Sequence, residues 1–364
     1  MFTIFSIMIP HKASLRICVC LALLVIYFEC KHLGLAVGSN SARSVSTYSL
    51  HSSKSLLSQW SNISKGASSM KTLPDSFNGD DTVPNLCPQV PPNLVGNITA
   101  RMEALPFEEL ERRFAELKPG GRFTPPDCKS RHRVAIIVAY RDRESHLKVL
   151  LNNLHPMLQR QQLDYGIYVV EQALPGIFNK AMLYNIGYTE AMKEYDYQCF
   201  FFHDVDHIPE NDKNLYTCPK NPRHVAVAID KHQYKLFYQG AFGGVIALTK
   251  EHMNTVNGFS NRYYGWGMED DDMFRRLKHS GLKITRASKK FARYRTIKHS
   301  RDKTNPVNKD RFKLLRQVSK DMETDGLNSL RYDLLKKEYK KLYTWVYAQV
   351  GEKRFLPHES NGQV

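Results

Sequence analysis

The 364-residue chain contains no Cys-x-x-Cys pair, no phosphate-cradling P-loop and no internal repeat. Without closely spaced thiolates, a zinc site of that kind is excluded. The stretch "GAFGGVIALTK" carries three glycines but neither the spacing nor the lysine of a P-loop, so it is a poor nucleotide motif. Lack of repeats excludes a solenoid. No Ser, His and Asp fall in an order that suggests a nucleophilic triad, and no cysteine sits in a reactive context. Acid is also in deficit: 52 Lys and Arg face 36 Asp and Glu, a formal charge of +16. That excess points to an anionic partner such as a phosphorylated substrate or a membrane surface. The bases are scattered rather than gathered in one arm, which argues against nucleic acid. With 42% hydrophobic and 24% charged residues, most of the chain is globular, with one large core or two modest ones.

The N-terminus carries Lys12 and Arg16 ahead of an apolar run, Ile17 to Phe28, with weaker continuation from Leu33 to Val37. That run is short for the ~20 residues of a membrane span, and a cleaved signal peptide has the same layout. No Ala-x-Ala-like cleavage site follows, and the basic flank favours a cytoplasmic N-terminus. The expectation is a cytoplasmic tail at 1–16 and an uncleaved signal anchor at 17–37, its short span suited to a thinner early-secretory membrane. Cys18, Cys20 and Cys30 lie in or beside the anchor. Cys87, Cys128, Cys199 and Cys218 remain for an oxidising lumen, an even number suited to two disulfides. The sequons at Asn62 and Asn97 agree with lumenal exposure. Residues 38–104, rich in Ser, Asn, Gly and Pro, read as a flexible stem.

The texture then changes, and a catalytic domain is expected over 105–350 with a tail at 351–364. "PFEELERRFAELKPGGR" reads as a helix ended by Pro-Gly-Gly. Val134 to Tyr140 is nearly continuous and β-branched, as in a parallel strand buried on both faces. Helical periodicity follows from Glu144 to Leu158. "YGIYVVEQ", "NKAMLYNIGYTEAMKEY" and "CFFFHDVD" then read as strand, helix and strand. This alternation predicts an α/β fold with a mostly parallel sheet, whose ligands bind beyond the carboxyl ends of the strands. Arg141 to Arg143 and Asp204 to Asp206 fall there.

Asp204-Val205-Asp206 suits a hard divalent cation bound together with nucleotide phosphates. The pair also fits a solvated loop start with one carboxylate capping a turn. In "GWGMEDDDMFRRL", Glu269 to Asp272 open a helix, and part of that acid run is explained by the macrodipole. The preceding Gly265-Trp266-Gly267 is not: tryptophan between glycines offers an aromatic face for a sugar ring with close backbone approach. A carboxylate there can take the proton from an acceptor hydroxyl. In "IKHSRDKTNPVNKDRF", His299 can ligate metal and Arg301 and Lys303 can face phosphate, although a histidine among bases is also an ordinary surface residue.

"RVAIIVAYRDRESHL", "FNKAMLYNIGY", "FFHDVDHIPENDKNLYTC", "FGGVIALTK", "NGFSNRYYGWGMEDDDMFRRL" and "HSRDKTNPVNKDRF" occur in the order seen in the β1,4-galactosyltransferases. The resemblance covers about residues 105–350. It implies a Golgi single-pass type II membrane enzyme with a GT-A, Rossmann-like nucleotide-sugar fold and a Mn²⁺ cofactor. By position, Asp206 and His299 resemble the metal ligands. Ala139, Tyr140, Arg141, Asp142 and Arg143 match a donor-binding segment, as do Phe178, Asn179 and Lys180, then Val205 and Asp206, and then His299, Ser300 and Arg301. Lys231 matches a phosphate-contacting lysine, and Trp266 a mobile-loop tryptophan. Met268, Glu269, Asp270 and Asp271 match acceptor-binding positions, with Asp270 as base and Glu269 beside it. Arg311, Phe312 and Leu315 match a pocket for an acceptor N-acetyl group. Pairing of Cys87 with Cys128 and Cys199 with Cys218 is implied as well.

The reaction so implied is inverting transfer from a UDP-sugar to the 4-hydroxyl of terminal N-acetylglucosamine. A catalytically silent lumenal sugar-binding protein on the same fold is the alternative, and the intact Asp206, Asp270 and His299 argue against it. Three departures from the family pattern bear on this. Lys180 replaces a donor-side arginine, keeping charge but losing the fork. Thr296 replaces a soft methionine ligand, which puts metal preference in question. Ala241 replaces a tyrosine beside the donor's 2-position, and the space it leaves favours UDP-GalNAc over UDP-Gal.

Overall fold

The computed structural model describes residues 85–300 and 305–351. A short helix α1 (Phe107–Arg113) precedes strand β1 (Arg133–Tyr140), in which every residue after Arg133 is buried. Helix α2 (Glu144–Arg160), strand β2 (Asp164–Gln172), helix α3 (Lys180–Glu194) and strand β3 (Cys199–Asp204) follow. Both faces of β1 are apolar because both are covered. Ile136 and Val138 pack with α2 residues such as Leu150 and Leu154. Ala135 and Ile137 pack with α3 residues such as Leu183 and Ile186.

β1 pairs in parallel with β2 on one side and β3 on the other. The remaining strands are β4 (His207–Pro209), β5 (Arg223–His224), β6 (Ala228–Ile229), β7 (Val245–Thr249), β8 (Thr285–Arg286), β9 (Arg293–Thr296), β10 (Tyr332–Tyr339) and β11 (Thr344–Val350). The large sheet runs β10-β11-β2-β1-β3-β7-β5-β8, and β4-β9-β6 form a small second sheet. Helices α4 (Lys250–Thr255), α5 (Glu269–His279), α6 (Arg311–Arg316) and α7 (Val318–Asp321) complete the α-helices of the described residues.

The sheet is mixed, with four of its seven strand pairings parallel and three antiparallel. Its centre, β11-β2-β1-β3, is parallel, but β7 runs against β3 and β10 against β11. The β10–β11 link is a short turn, which allows only antiparallel pairing. α1 is also shorter than its sequence suggests. It stops at Arg113, well before Pro119, because Phe114 and Leu117 turn into the core. Tertiary burial here overrides helical propensity.

Residues 85–104, read above as stem, are fastened to the domain. Cys87 is disulfide-bonded to Cys128, and its amide donates to the Lys129 carbonyl at 2.9 Å. The Gly96 amide donates to Asp212 at 2.7 Å, and Asn97, exposed, accepts from Asn211 at 2.8 Å. A second disulfide, Cys199–Cys218, ties the start of β3 to the segment beyond β4. The expected anchor at 17–37 and Asn62 lie outside the described residues. Among the described residues, no helix is long and apolar enough to cross a membrane.

Candidate active site

A cleft of about 690 Å³ opens at the carboxyl ends of β1 and β3. After β1 the chain turns sharply, with Asp142 at φ 51°. Arg141 and Arg143 line the cleft. The Arg141 guanidinium donates to the Gly176 carbonyl at 2.8 Å and lies 5.0 Å over the Phe178 ring, which steadies its charge against the wall. Ala139 and Phe178 also face the cleft. Tyr140 turns into the core instead, where burial pushes its phenol up to about 12. Asn179 is spent structurally: its side chain caps α3 by accepting from the Met182 amide at 3.0 Å and donates to the Asn261 carbonyl at 2.8 Å.

β3 ends at Asp204 because the chain turns there, delivering Val205 and Asp206 to the cleft. Asp204, Asp206 and His207 each offer one ligand atom, all within 4.8 Å of one another. Their present partners separate them. Asp204 accepts from the Tyr184 hydroxyl at 2.8 Å and pairs with Lys180 at 3.4 Å. His207 is buried with Nδ1 on Asp206 at 2.8 Å, so it orients that carboxylate in the way supporting groups orient metal ligands. His299 Nε2 reaches Asp206 from the other side at 3.5 Å.

Burial alone would raise the Asp206 carboxyl, but His207, His299 and Lys231 hold it well below the usual carboxylate range. Its hydrogen bond to Asp206 in turn raises the His299 imidazole. Oxygen donors with one or two imidazoles fit a divalent ion of the manganese kind. Thr296, opposite His207 in the β4–β9 pairing, has a different occupation. Its hydroxyl donates to Asp230 at 2.7 Å and its amide donates to the same oxygen at 3.0 Å. Lys231, next along, lines the cleft.

The acidic run at α5 divides by direction. Met268 takes φ 73°, a left-handed conformation uncommon for a side-chain-bearing residue, and the helix starts abruptly after it. Glu269 and Asp270 then converge on the Lys180 ammonium at 3.0 and 3.3 Å. Asp270, with 29% of its side chain open to solvent, has its carboxyl raised to about 7 by burial, with Lys180 opposing and Glu269 and Asp204 adding to the rise. Asp271 accepts from the Tyr238 hydroxyl at 2.7 Å at the cleft rim. Asp272 points inward to Arg276, 2.6 Å away, and to the Tyr263 hydroxyl at 3.0 Å.

Gly243 lies directly under Asp270: a Cβ there would stand 2.2 Å from Oδ2. Gly243→Ala therefore pushes the carboxylate off its position. The expected result is a roughly 10²-fold fall in kcat from the displacement, read by steady-state kinetics alongside a thermal melt that shows the fold intact. Unchanged kcat in a folded variant would mean that this carboxylate's position does not matter.

Trp266 is 53% exposed and borders the cleft. Its backbone is fixed, the amide donating to the Pro306 carbonyl at 2.8 Å and the carbonyl accepting from Asn308 at 3.1 Å. Gly267, at φ 115°, packs so that an added Cβ would lie 2.9 Å from Arg311 Cδ. This contact brings α6 beside the Trp266 turn, although Arg311, Phe312 and Leu315 do not themselves line the cleft. Phe312 is exposed, whereas Leu315 is buried with its carbonyl accepting from Arg275 at 2.8 Å. Ser300 is exposed, its carbonyl 2.7 Å from His299 Nδ1, and Arg301 lies outside the described residues. Ala241 and Met268 line the cleft. Sequence reasoning overlooked His207, Tyr184, Gly243 and His146. Only His207, next to the second aspartate, carried a local signal.

Two family models match the chain: "N-terminal region of glycosyl transferase group 7" over residues 87–219 and "N-terminal domain of galactosyltransferase" over 223–300. The mouse protein named β-1,4-galactosyltransferase 1 is 49% identical over 269 residues, covering 74% of this chain and 67% of its own. The β-1,4-galactosyltransferase 3 of Cricetulus griseus is 45% identical over 302 residues, covering 82% and 74%. Among solved structures, the catalytic domain of Drosophila β1,4-galactosyltransferase 7 with xylobiose superposes with a TM-score of 0.53 at 29% identity, over 61% of this chain and 95% of that one. A mutant of the same enzyme, solved with manganese, UDP-Gal and xylobiose, gives 0.52 at 28% identity over the same shares. With a mixed α/β fold of the same kind and matches of this extent, the chain belongs to the β1,4-galactosyltransferase family.

Proposed function

We propose that the protein is an inverting, Mn²⁺-dependent hexosyltransferase that moves a sugar from its UDP conjugate to the 4-hydroxyl of a terminal N-acetylglucosamine. The observation that carries this reading is one cleft holding both a candidate base, Asp270 on Lys180, and a candidate cation site at Asp206 and His299. Mn²⁺, when bound, supplies positive charge to the diphosphate leaving group. Arg141, Arg143 and Lys231 hold the diphosphate end. Asp270 accepts the acceptor's hydroxyl proton as the acceptor oxygen bonds to the anomeric carbon and the bond to the UDP oxygen breaks. Lys180 keeps the Asp270 carboxylate in place, and Trp266 covers the donor and limits water. The reading puts the domain in the Golgi lumen on a single-pass type II anchor, and the two disulfides agree with an oxidising compartment.

For the donor, we infer UDP-GalNAc over UDP-Gal, because Ala241 leaves the cleft wall small where a 2-acetamido group would lie. The protein expressed in a secretory host, given Mn²⁺ and a β-linked N-acetylglucosamine acceptor, is expected to transfer GalNAc faster than Gal. Ala241→Tyr is expected to lower the GalNAc-to-Gal rate ratio about tenfold or more, as overpacking a filled site costs ~1–3 kcal/mol. Faster Gal transfer by the natural sequence would overturn the donor assignment. No transfer from either donor would overturn the enzyme reading in favour of a sugar-binding protein.

A further inference from the structure

We propose that Asn97 carries an N-linked glycan, and that the first N-acetylglucosamine of this glycan lies in the open groove beside it, against the Phe291 ring. The proposal rests on the lumenal placement above for access to the glycosylating enzymes, and on local geometry for the site itself.

Backbone bonds fix the direction of the segment that bears Asn97. The Gly96 and Val95 amides both donate to the Asp212 carboxylate, at 2.7 and 3.1 Å. The Asp212 amide donates to the Gly96 carbonyl and the Ile98 amide to the Glu210 carbonyl, both at 3.0 Å. A segment paired in this way alternates its side chains. Gly96 is buried and Ile98 packs against the core, so Asn97 and Thr99 face outward, and both are exposed. Asn97, Ile98 and Thr99 form an Asn-x-Thr acceptor sequence. Asn97 Oδ1 accepts from the Asn211 side chain at 2.8 Å, which leaves Nδ2, the atom that takes the sugar, without a hydrogen bond of its own.

A groove of about 710 Å³ begins at this asparagine, with Lys213, Lys290 and Phe291 among its other walls. Phe291, on the loop before β9, is 40% exposed and offers a flat apolar face for the C–H face of a sugar. The Lys213 and Lys290 ammonium groups are exposed and belong to no ion pair among the described residues, so they can donate to the sugar's oxygens. None of these residues lines the catalytic cleft, so the glycan does not compete with substrate. The attachment is a group transfer from a lipid-diphosphate-linked oligosaccharide. Nδ2 bonds to the anomeric carbon, the bond from that carbon to the diphosphate oxygen breaks, and the diphosphate leaves with the electron pair as Nδ2 loses a proton.

The test uses the full chain made with its own N-terminus in cultured animal cells. Non-reduced peptides are mapped by mass spectrometry before and after peptide:N-glycosidase F. The Asn97 peptide is expected to carry a glycan that the enzyme removes, leaving aspartate. Thr99→Ala, which keeps Asn97 and its bond to Asn211, is expected to abolish it. The groove is read from the rate at which the glycosidase, which must reach the first sugar, releases the glycan from the folded protein. Phe291→Ala is expected to speed that release about tenfold or more, with release from the denatured protein unchanged. Unmodified Asn97 in a chain whose Cys87–Cys128 bond has formed overturns the proposal and leaves the lumenal placement standing. Unmodified Asn97 with both cysteines free overturns both. A glycan released equally fast from the folded natural protein and from Phe291→Ala overturns the groove assignment. Should Phe291→Ala fail to fold, Phe291→Leu, which keeps apolar bulk and removes the flat face, carries the same comparison.

Discussion

Asp270→Asn lowers kcat by about 10³-fold, within the range supplied by a positioned general base, and leaves the protein folded. The fold survives because Lys180 keeps Glu269 at 3.0 Å and Asp204 at 3.4 Å after the charge at Asp270 is gone. Donor affinity is expected to change little if the lost group serves, as proposed, to accept a proton and not to hold the diphosphate. The natural protein should also show an acid limb in kcat/KM. Burial raises the Asp270 carboxyl to about 7, so the base form, and with it activity, is present above that pH and lost as pH falls through it. Lys180 opposes the rise, so Lys180→Met moves the limb to higher pH. Steady-state rates of the natural protein, Asp270→Asn and Lys180→Met across pH 5 to 9 decide the point. An asparagine variant with near-natural kcat, or a limb that ignores Lys180, would remove Asp270 from the base role.

Arg276→Ala destabilises the domain by about 3–5 kcal/mol, the cost of stranding a buried charge partner. Arg276 is 1% exposed and donates to Asp272 at 2.6 Å and to the Asp325 carbonyl at 2.7 Å, with the Asp325 carboxylate 3.3 Å away. It therefore joins α5 to the segment beyond α7, and removing it leaves Asp272 buried near the like-charged Asp325 with only the Tyr263 hydroxyl as partner. Urea unfolding followed by far-UV circular dichroism gives the value from the midpoint and slope. A loss below about 1 kcal/mol would mean that water replaces the guanidinium and that the network is not buried in solution. Asp270 and Asp272 stand two positions apart, yet removing the charge of the first predicts a folded, slow enzyme and removing Arg276, the partner of the second, an unstable one.

That divergence marks the limit of what could be read from the chain alone. The central strands were legible because an apolar run covered on both faces looks alike wherever it occurs, and β1 to β3 fall within a residue or two of their expected places. The aspartates at the end of β3 and the acids of α5 were visible as charges that needed a reason. Their sorting was not visible. It depends on the left-handed turn at Met268, on Lys180 arriving from α3, and on Arg276, one turn after Asp272, being held by Asp325 beyond α7. Lys180 and Asp325 are far from the acid run in the chain, so no local period encodes their part in the sorting. The same holds for Asn179 and Tyr140: neighbours in sequence of cleft residues, their side chains serve a helix cap and the core. Thr296 was legible as an unusual residue, but its bond to Asp230 was not.

The place of β11 has a consequence for how the protein is made. Thr344–Val350, near the end of the chain, lies beside β2 at Asp164–Gln172, and the Ala173 amide donates to the Ala348 carbonyl at 2.8 Å. During synthesis β2 therefore emerges long before its neighbour exists. Until β11 arrives, one side of β2 is an open edge, able to pair with foreign strands. Completion of the sheet at β2 must wait until residue 350 has been made. A ribosome stalled or a gene truncated before residue 344 would yield a chain with every cleft residue named above and β2 left as an open edge of the sheet.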